Sequence, residues 1–192
     1  SYTYYFDHLA VVNTLVLYDS EIYKDKTNLF YLMQSNLSSF LFLIKNFFIK
    51  IGFSLNFLNL SLTFIPTLLN LSGIYLICKF ITSSNTLSFL ISFAAISLTK
   101  NFGEVDYPTL MFSWHTVGMF AFSLCTFILG LLTLRNLLFA FLACLLLSSI
   151  HLVVGLWMIG ITTLSSYFFI SKKNVKKIGV IIFISLIVIL FH

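Results

Sequence analysis

This chain carries little charge. Six of its 192 residues are acidic and charged residues make up 9% of it, against 59% hydrophobic residues and a mean hydropathy of +1.03. A soluble domain of this length cannot hide so much apolar surface, so composition excludes the soluble globular classes. Cysteine is scarcer still. Cys78, Cys125 and Cys144 each lie inside an apolar run with no CxxC or Cys/His spacing, which leaves buried free thiols as the reading. The net charge of +5 does not point to nucleic acid, because the 11 Lys and Arg are spread along the chain and four of them crowd one short connector, Lys172, Lys173, Lys176 and Lys177.

What is present is Phe, Leu and Ile in long runs. The expected fold is an all-α polytopic transmembrane bundle forming a single domain over residues 1–192. Residues 1–50 make an external segment, and spans are expected near 53–78, 86–99, 112–134, 137–150, 152–170 and 178–191. Pro66 stands inside the first of these and predicts a kink there. Thr82-Ser83-Ser84-Asn85 reads as a turn, and residues 102–108 as a polar loop with both Gly103 and Pro108. Residues 137–170 carry no formal charge unless His151 is protonated. That stretch is too long for one span and predicts two short helices meeting near Ser148-Ser149-Ile150-His151. The chain starts at Ser1 and stops when its last apolar run, 178–191, is shorter than the roughly 20 residues a span needs. Further helices beyond both ends are therefore expected.

Alternating across these spans puts Lys79, Arg135 and the four lysines of 172–177 on one side, with no acid. Short connectors rich in Lys and Arg mark the cytoplasmic side. The other side receives residues 1–50, the 100–108 loop and His151, with all six acids: Asp7, Asp19, Glu21, Asp25, Glu104 and Asp106. The expected location is the inner membrane of a bacterium, with the acidic loops external. A helical wheel over 35–50 gathers Ser35, Ser38, Ser39, Lys45, Asn46 and Lys50 in a sector of about 140°, which Phe42 and Ile49 also enter, with Phe40, Leu41, Leu43, Phe47 and Phe48 over most of the rest. This predicts a helix lying in the interface. The alternative is the half-buried first part of a long span, in which each lysine would cost on the order of 3 kcal/mol at depth.

Candidate functional residues follow from this sidedness. Asp7, at a membrane boundary, would be partly desolvated and suited to act as a general base. Glu104 and Asp106 form a Glu-x-Asp pair able to converge on one hard cation, Mg or Mn, through oxygen ligands. His115 and His151 could orient a phosphate or donate a hydrogen bond, and Lys24, Lys26 and Lys100 could meet one. Each has a plainer reading beside it. Glu104 and Asp106 can be a solvated loop, Asp7 a cap or a partner of His8, and Asp19, Glu21 and Asp25 helix-end charges. His115 can be bonded to backbone and His151 a satisfied packing contact. The Asn-Leu-Ser triplets at Asn36, Asn59 and Asn70 are chance matches to the glycosylation pattern.

The runs Phe6-Asp7-His8-Leu9, Leu17-Tyr18-Asp19-Ser20-Glu21-Ile22-Tyr23-Lys24-Asp25 and Leu147-Ser148-Ser149-Ile150-His151-Leu152-Val153-Val154-Gly155-Leu156-Trp157, with the second acidic loop, resemble the GT-C superfamily of integral-membrane glycosyltransferases. The resemblance covers roughly residues 4–170. It implies transfer of a sugar from a polyprenyl-phosphate donor to an external acceptor. Asp7 then matches the first-loop base, and Glu104 and Asp106 the second acidic motif, which binds metal or acceptor. His8, His115, His151 and Lys100 support the donor phosphate. Asp7 departs from the pattern in being followed by His rather than a second acid.

Two rival readings belong to other classes. A transporter or flippase would use Glu104, Asp106 and His151 along an ion path, although no expected span carries a formal charge at its middle. A non-catalytic subunit of a membrane complex would leave the acids dispersed in space.

Overall fold

The computed structural model describes residues 40–97, 117–169 and Gly179. The described residues form six helices and no strand: α1 (Phe40–Lys50), α2 (Leu55–Thr82), α3 (Asn85–Ser97), α4 (Val117–Thr133), α5 (Leu137–Ile150) and α6 (Leu152–Phe169). The fold is all-α among these residues. One helix segment, Phe64–Thr82, is long and apolar enough to cross a membrane, and the other apolar helices are shorter.

The helices stop where local backbone chemistry stops them. α1 ends on Gly52 at φ 95, with Gly52 N–H donating to the Ile49 carbonyl and Phe53 N–H to the Phe48 carbonyl. Glycine suits this closure because it takes the left-handed conformation without a Cβ penalty. α4 ends the same way, with Arg135 at φ 57 and bonds from Arg135 N–H to Leu132 and from Asn136 N–H to Leu131. α2 ends on Ser83, also left-handed, whose N–H donates to Lys79. The helix thus runs four residues past the expected limit of 78, since a lysine marks a polar boundary without breaking a helix. It also continues unbroken through Pro66, which is buried.

α2 and α4 meet backbone to backbone. A Cβ built on Gly73 would stand 2.5 Å from the Thr126 carbonyl oxygen, and one on Gly130 would stand 2.8 Å from the Gly73 carbonyl oxygen and 3.0 Å from Leu76 Cβ. Gly73 faces Thr126 and Leu76 faces Gly130, so residue numbers rise together and the helices run in the same direction. α3 folds back on α2 through Ser83 and Ser84, held by the Thr82 Oγ1–Ser88 Oγ hydrogen bond at 2.9 Å. α5 returns along α4. α6 returns along α5, with Gly155 against Ser148 and Cys144 Sγ 3.3 Å from Thr162 Oγ1.

These directions sort the chain into two ends. One holds Lys79, Arg135 and the last residues of α6. The other holds the start of α2, the start of α4 and the α5–α6 turn, with α1 attached there and touching both α2 and α5.

Several inner positions are polar while much of the outer surface is apolar. α3 buries Ser88 and Ser92 against its neighbours and turns Phe89, Leu90 and Phe93 outward. α6 buries Thr162 and Ser166 while Trp157 is 72% exposed, on an outer face that includes Val153, Leu156, Gly160, Ile161 and Leu164. The inner hydroxyls need no water, because most bond back into their own helix: Ser88 to Ser84 O, Ser92 to Ser88 O at 2.6 Å, Ser123 to Met119 O at 3.0 Å and Ser148 to Cys144 O at 2.9 Å. An apolar core of Leu124, Ile128, Phe141, Cys144 and Leu147 fills the space between α4, α5 and α6.

The close approach of α2 and α4 can be tested by adding atoms to it. Gly73→Val must push the helices apart, and a loss of about 2 kcal/mol is expected from overpacking. Gly160→Ala, whose new Cβ meets nothing within 4 Å, is the matched control. Reversible unfolding in mixed micelles reads both, and equal stability of the two variants would contradict the contact.

Candidate functional site

The α5–α6 turn is the functional candidate that the described residues contain. Ser148 and Ser149 set it up, since their hydroxyls accept helical geometry only by bonding back, to Cys144 O and to Leu146 O at 2.7 Å. Such bonds compete with the helical ladder and favour a bend. Two residues further, His151 leaves the helix at φ −143, ψ 95. Its N–H still donates to the Leu147 carbonyl at 2.8 Å, and its carbonyl accepts from Gly155 N–H at 2.9 Å as the first bond of α6. A single extended residue therefore reverses the chain, with every backbone group of His151 paired. Gly155 makes the reversal tight, because a Cβ there would collide with the Ser148 backbone. The imidazole is half-buried.

Of the residues singled out from the sequence, His151 is the one described. Asp7, His8, Lys100, Glu104, Asp106 and His115 lie outside the described residues, as do Lys24, Lys26, Asp19, Glu21 and Asp25. The described part does fix where the second acid-bearing segment is attached. Residues 98–116 leave the end of α3 and enter the start of α4, and both lie at the His151 end. Among the described residues no three His, Cys, Asp or Glu side chains come together to hold a metal ion.

Lys45 is a residue that the sequence reading did not assign. It is 3% exposed on α1, at the His151 end, while Phe47 two residues on is 60% exposed. The wheel grouped Lys45 with Lys50 in one polar sector, whereas the structure buries Lys45 with Leu41 and leaves Lys50 exposed. Rings link α1 to α2 along the exposed side: Phe48 lies 5.3 Å from Phe53, and Phe53 5.3 Å from Phe57. At the opposite end Lys79 Nζ sits 5.9 Å from the centre of the Tyr75 ring, and the Tyr75 hydroxyl donates to Asn85 Oδ1 at 3.3 Å.

No known protein family, curated protein or solved structure matches this chain.

The three thiols are placed differently enough to test the packing around this turn. Cys144 is fully buried between α5 and α6, whereas Cys78 and Cys125 are half-buried. In the folded protein a small maleimide should modify Cys78 and Cys125 well before Cys144, followed by intact-protein mass spectrometry. Equal rates would mean that α5 and α6 do not pack as described.

Proposed function

We propose that this chain is a polytopic bundle embedded in a lipid bilayer, and that it transfers a sugar from a polyprenyl phosphate to an acceptor outside the membrane, in the manner of GT-C glycosyltransferases. The observation that carries the membrane part is the direction of side-chain polarity. Ser88, Ser92, Ser148, Thr162 and Ser166 are buried, while large Phe, Leu, Ile and Trp side chains are exposed along α2, α3, α5 and α6. In water, so large an apolar exterior would be severely unfavourable. In lipid it costs nothing, and helices then associate through small residues and internal hydrogen bonds, as at Gly73, Gly130 and Gly155.

Charge supports one orientation. Lys79 and Arg135 share an end, and the lysines of 172–177 follow α6 at that end in sequence, so this is the cytoplasmic side. The segment 98–116, with Glu104 and Asp106, belongs to the opposite, periplasmic face. α1, with exposed Phe40, Leu43 and Phe47, lies in the interface of that same face.

The activity rests on the residue resemblance and on the sidedness expected for the acidic segments. Asp7 takes the proton of an acceptor hydroxyl, whose oxygen forms a bond to the anomeric carbon. The bond from that carbon to the donor phosphate oxygen breaks, and the polyprenyl phosphate leaves with the electron pair. Lys100 and His115 neutralise and orient its phosphate, and His8 stands beside the base. Glu104 and Asp106 bind the acceptor, or an Mg or Mn ion that would offset charge on the leaving phosphate.

Asp7→Asn should lower sugar transfer by about 100-fold or more, the usual contribution of a positioned base, in membranes supplied with radiolabelled polyprenyl-phosphate sugar. Its abundance should stay unchanged. Single cysteines replacing Asp25, Glu104 and Lys173 in a cysteine-free background check the orientation. An impermeant thiol reagent on intact cells should label the first two and spare the third. Opposite-sided labelling of positions 25 and 104 would remove the shared site and leave a non-catalytic subunit as the better reading.

A further inference from the structure

The outer face of α6 holds an open groove of about 500 Å³ lined by Val153, Trp157, Gly160 and Leu164, room for bulky side chains of a neighbouring helix. These residues follow one another at steps of 4, 3 and 4. That is the heptad seam along which two helices pair at a shallow left-handed crossing. Phe168 extends the seam by four more residues and is 72% exposed, and Leu164 is 66% exposed.

Gly160 stands in the middle of the seam. Gly73, Gly130 and Gly155 also lie inside helices, and at each of them a Cβ would collide with a neighbouring helix. At Gly160 a Cβ would meet nothing within 4 Å. A glycine inside a helix is less favourable than alanine by about 1 kcal/mol, and no contact within one copy offsets that. A second helix seated in the groove would offset it, because a missing Cβ lets two backbones approach closely.

Size, charge and shape identify the occupant. The side chains on this face leave on the order of 700 Å² of apolar surface per copy, close to the roughly 800 Å² that a standard specific interface takes from each partner. α6 carries no charged residue, so two identical faces meet without repulsion. The exposed Trp157 belongs to the same stripe as the groove, so each indole can enter the groove of the other copy. Copies inserted in one orientation meet about a twofold axis along the membrane normal, with their α6 helices parallel. We propose that this protein forms a homodimer in the membrane through the outer face of α6, with Gly160 at the crossing point. The inference rests on the membrane part of the reading above and is independent of sugar transfer.

The test uses the full chain in proteoliposomes diluted with excess lipid. In a cysteine-free background under copper–phenanthroline oxidation, Leu164→Cys should give disulfide-linked dimers at least about tenfold faster than Phe139→Cys, which is exposed on α5 outside the seam. Between copies fused to donor and acceptor fluorescent proteins, Gly160→Ile should weaken association about tenfold or more through overpacking at the crossing. In that variant Cys144 should remain slower to modify than Cys78 and Cys125, since one copy alone has space for the larger side chain. Trp157→Ala repeats the measurement should Gly160→Ile not fold. Equal crosslinking at 164 and 139, or association unchanged by Gly160→Ile with Cys144 still protected, overturns the dimer. A disulfide formed within one chain between Leu164→Cys and Ile184→Cys, in place of one between copies, gives the groove to the run 178–191 and likewise overturns it. Release of the chain from the vesicles by alkaline carbonate would remove the membrane reading itself, whereas a monomer that stays embedded removes only the dimer.

Discussion

The bundle depends on the contact between α2 and α4 at Gly73 and Gly130. With no Cβ on either side, two backbones approach until carbonyl and Cα atoms touch, and dispersion replaces the side-chain interlocking of larger residues. The contact also sets direction. Once α2 and α4 run the same way, short turns at Ser83–Ser84, Leu134–Asn136 and His151 leave α3, α5 and α6 little freedom. Lys79 and Arg135 are brought to one end and His151 to the other as a consequence.

Around that contact the energetic problem is to bury polar side chains without water. The solution is local, since each serine hydroxyl that faces a neighbour is already bonded to a carbonyl one turn back. The group presented to the next helix is then small and largely satisfied. Small satisfied residues inside permit close helices, and the bulky apolar residues displaced outward meet the surroundings. Polarity and helix spacing are thus two results of one choice of residue size. The same hydroxyl bonding, concentrated at Ser148 and Ser149, bends the end of α5 and prepares the break at His151.

Much of this was legible in the sequence where a signal was local. The two-helix division of 137–170 follows from a charge-free stretch too long for one span, interrupted by Ser-Ser-Ile-His, and the break falls at His151. Ser83 and Ser84 turn the chain where Thr82-Ser83-Ser84-Asn85 predicts. The end of α2 was less legible, because Lys79 marks a boundary of polarity and not of backbone geometry, and the helix runs on to Thr82. Lys45 was expected in the polar sector of an interfacial helix, and the structure buries it. A helical wheel groups residues by angle, and whether its polar sector faces the bundle or the solvent is a property of the neighbours. For the candidate site, His151 is the residue that the sequence named and the described structure positions.

The sequence by itself determined the helical class, the excess of apolar surface and the separation of acidic from basic segments. These follow from composition and run length, which act over neighbouring residues. Only the tertiary structure decided that α2 and α4 meet backbone to backbone at Gly73, Thr126 and Gly130, that Ser88 and Ser92 are buried while Phe89 and Phe93 are exposed, and that Lys45 is buried. Each of these depends on which helix face meets another across a few ångströms. That is fixed by the fit of Gly73 against Thr126 and of Gly155 against Ser148, pairs far apart or unremarkable in the chain until the backbone brings them together.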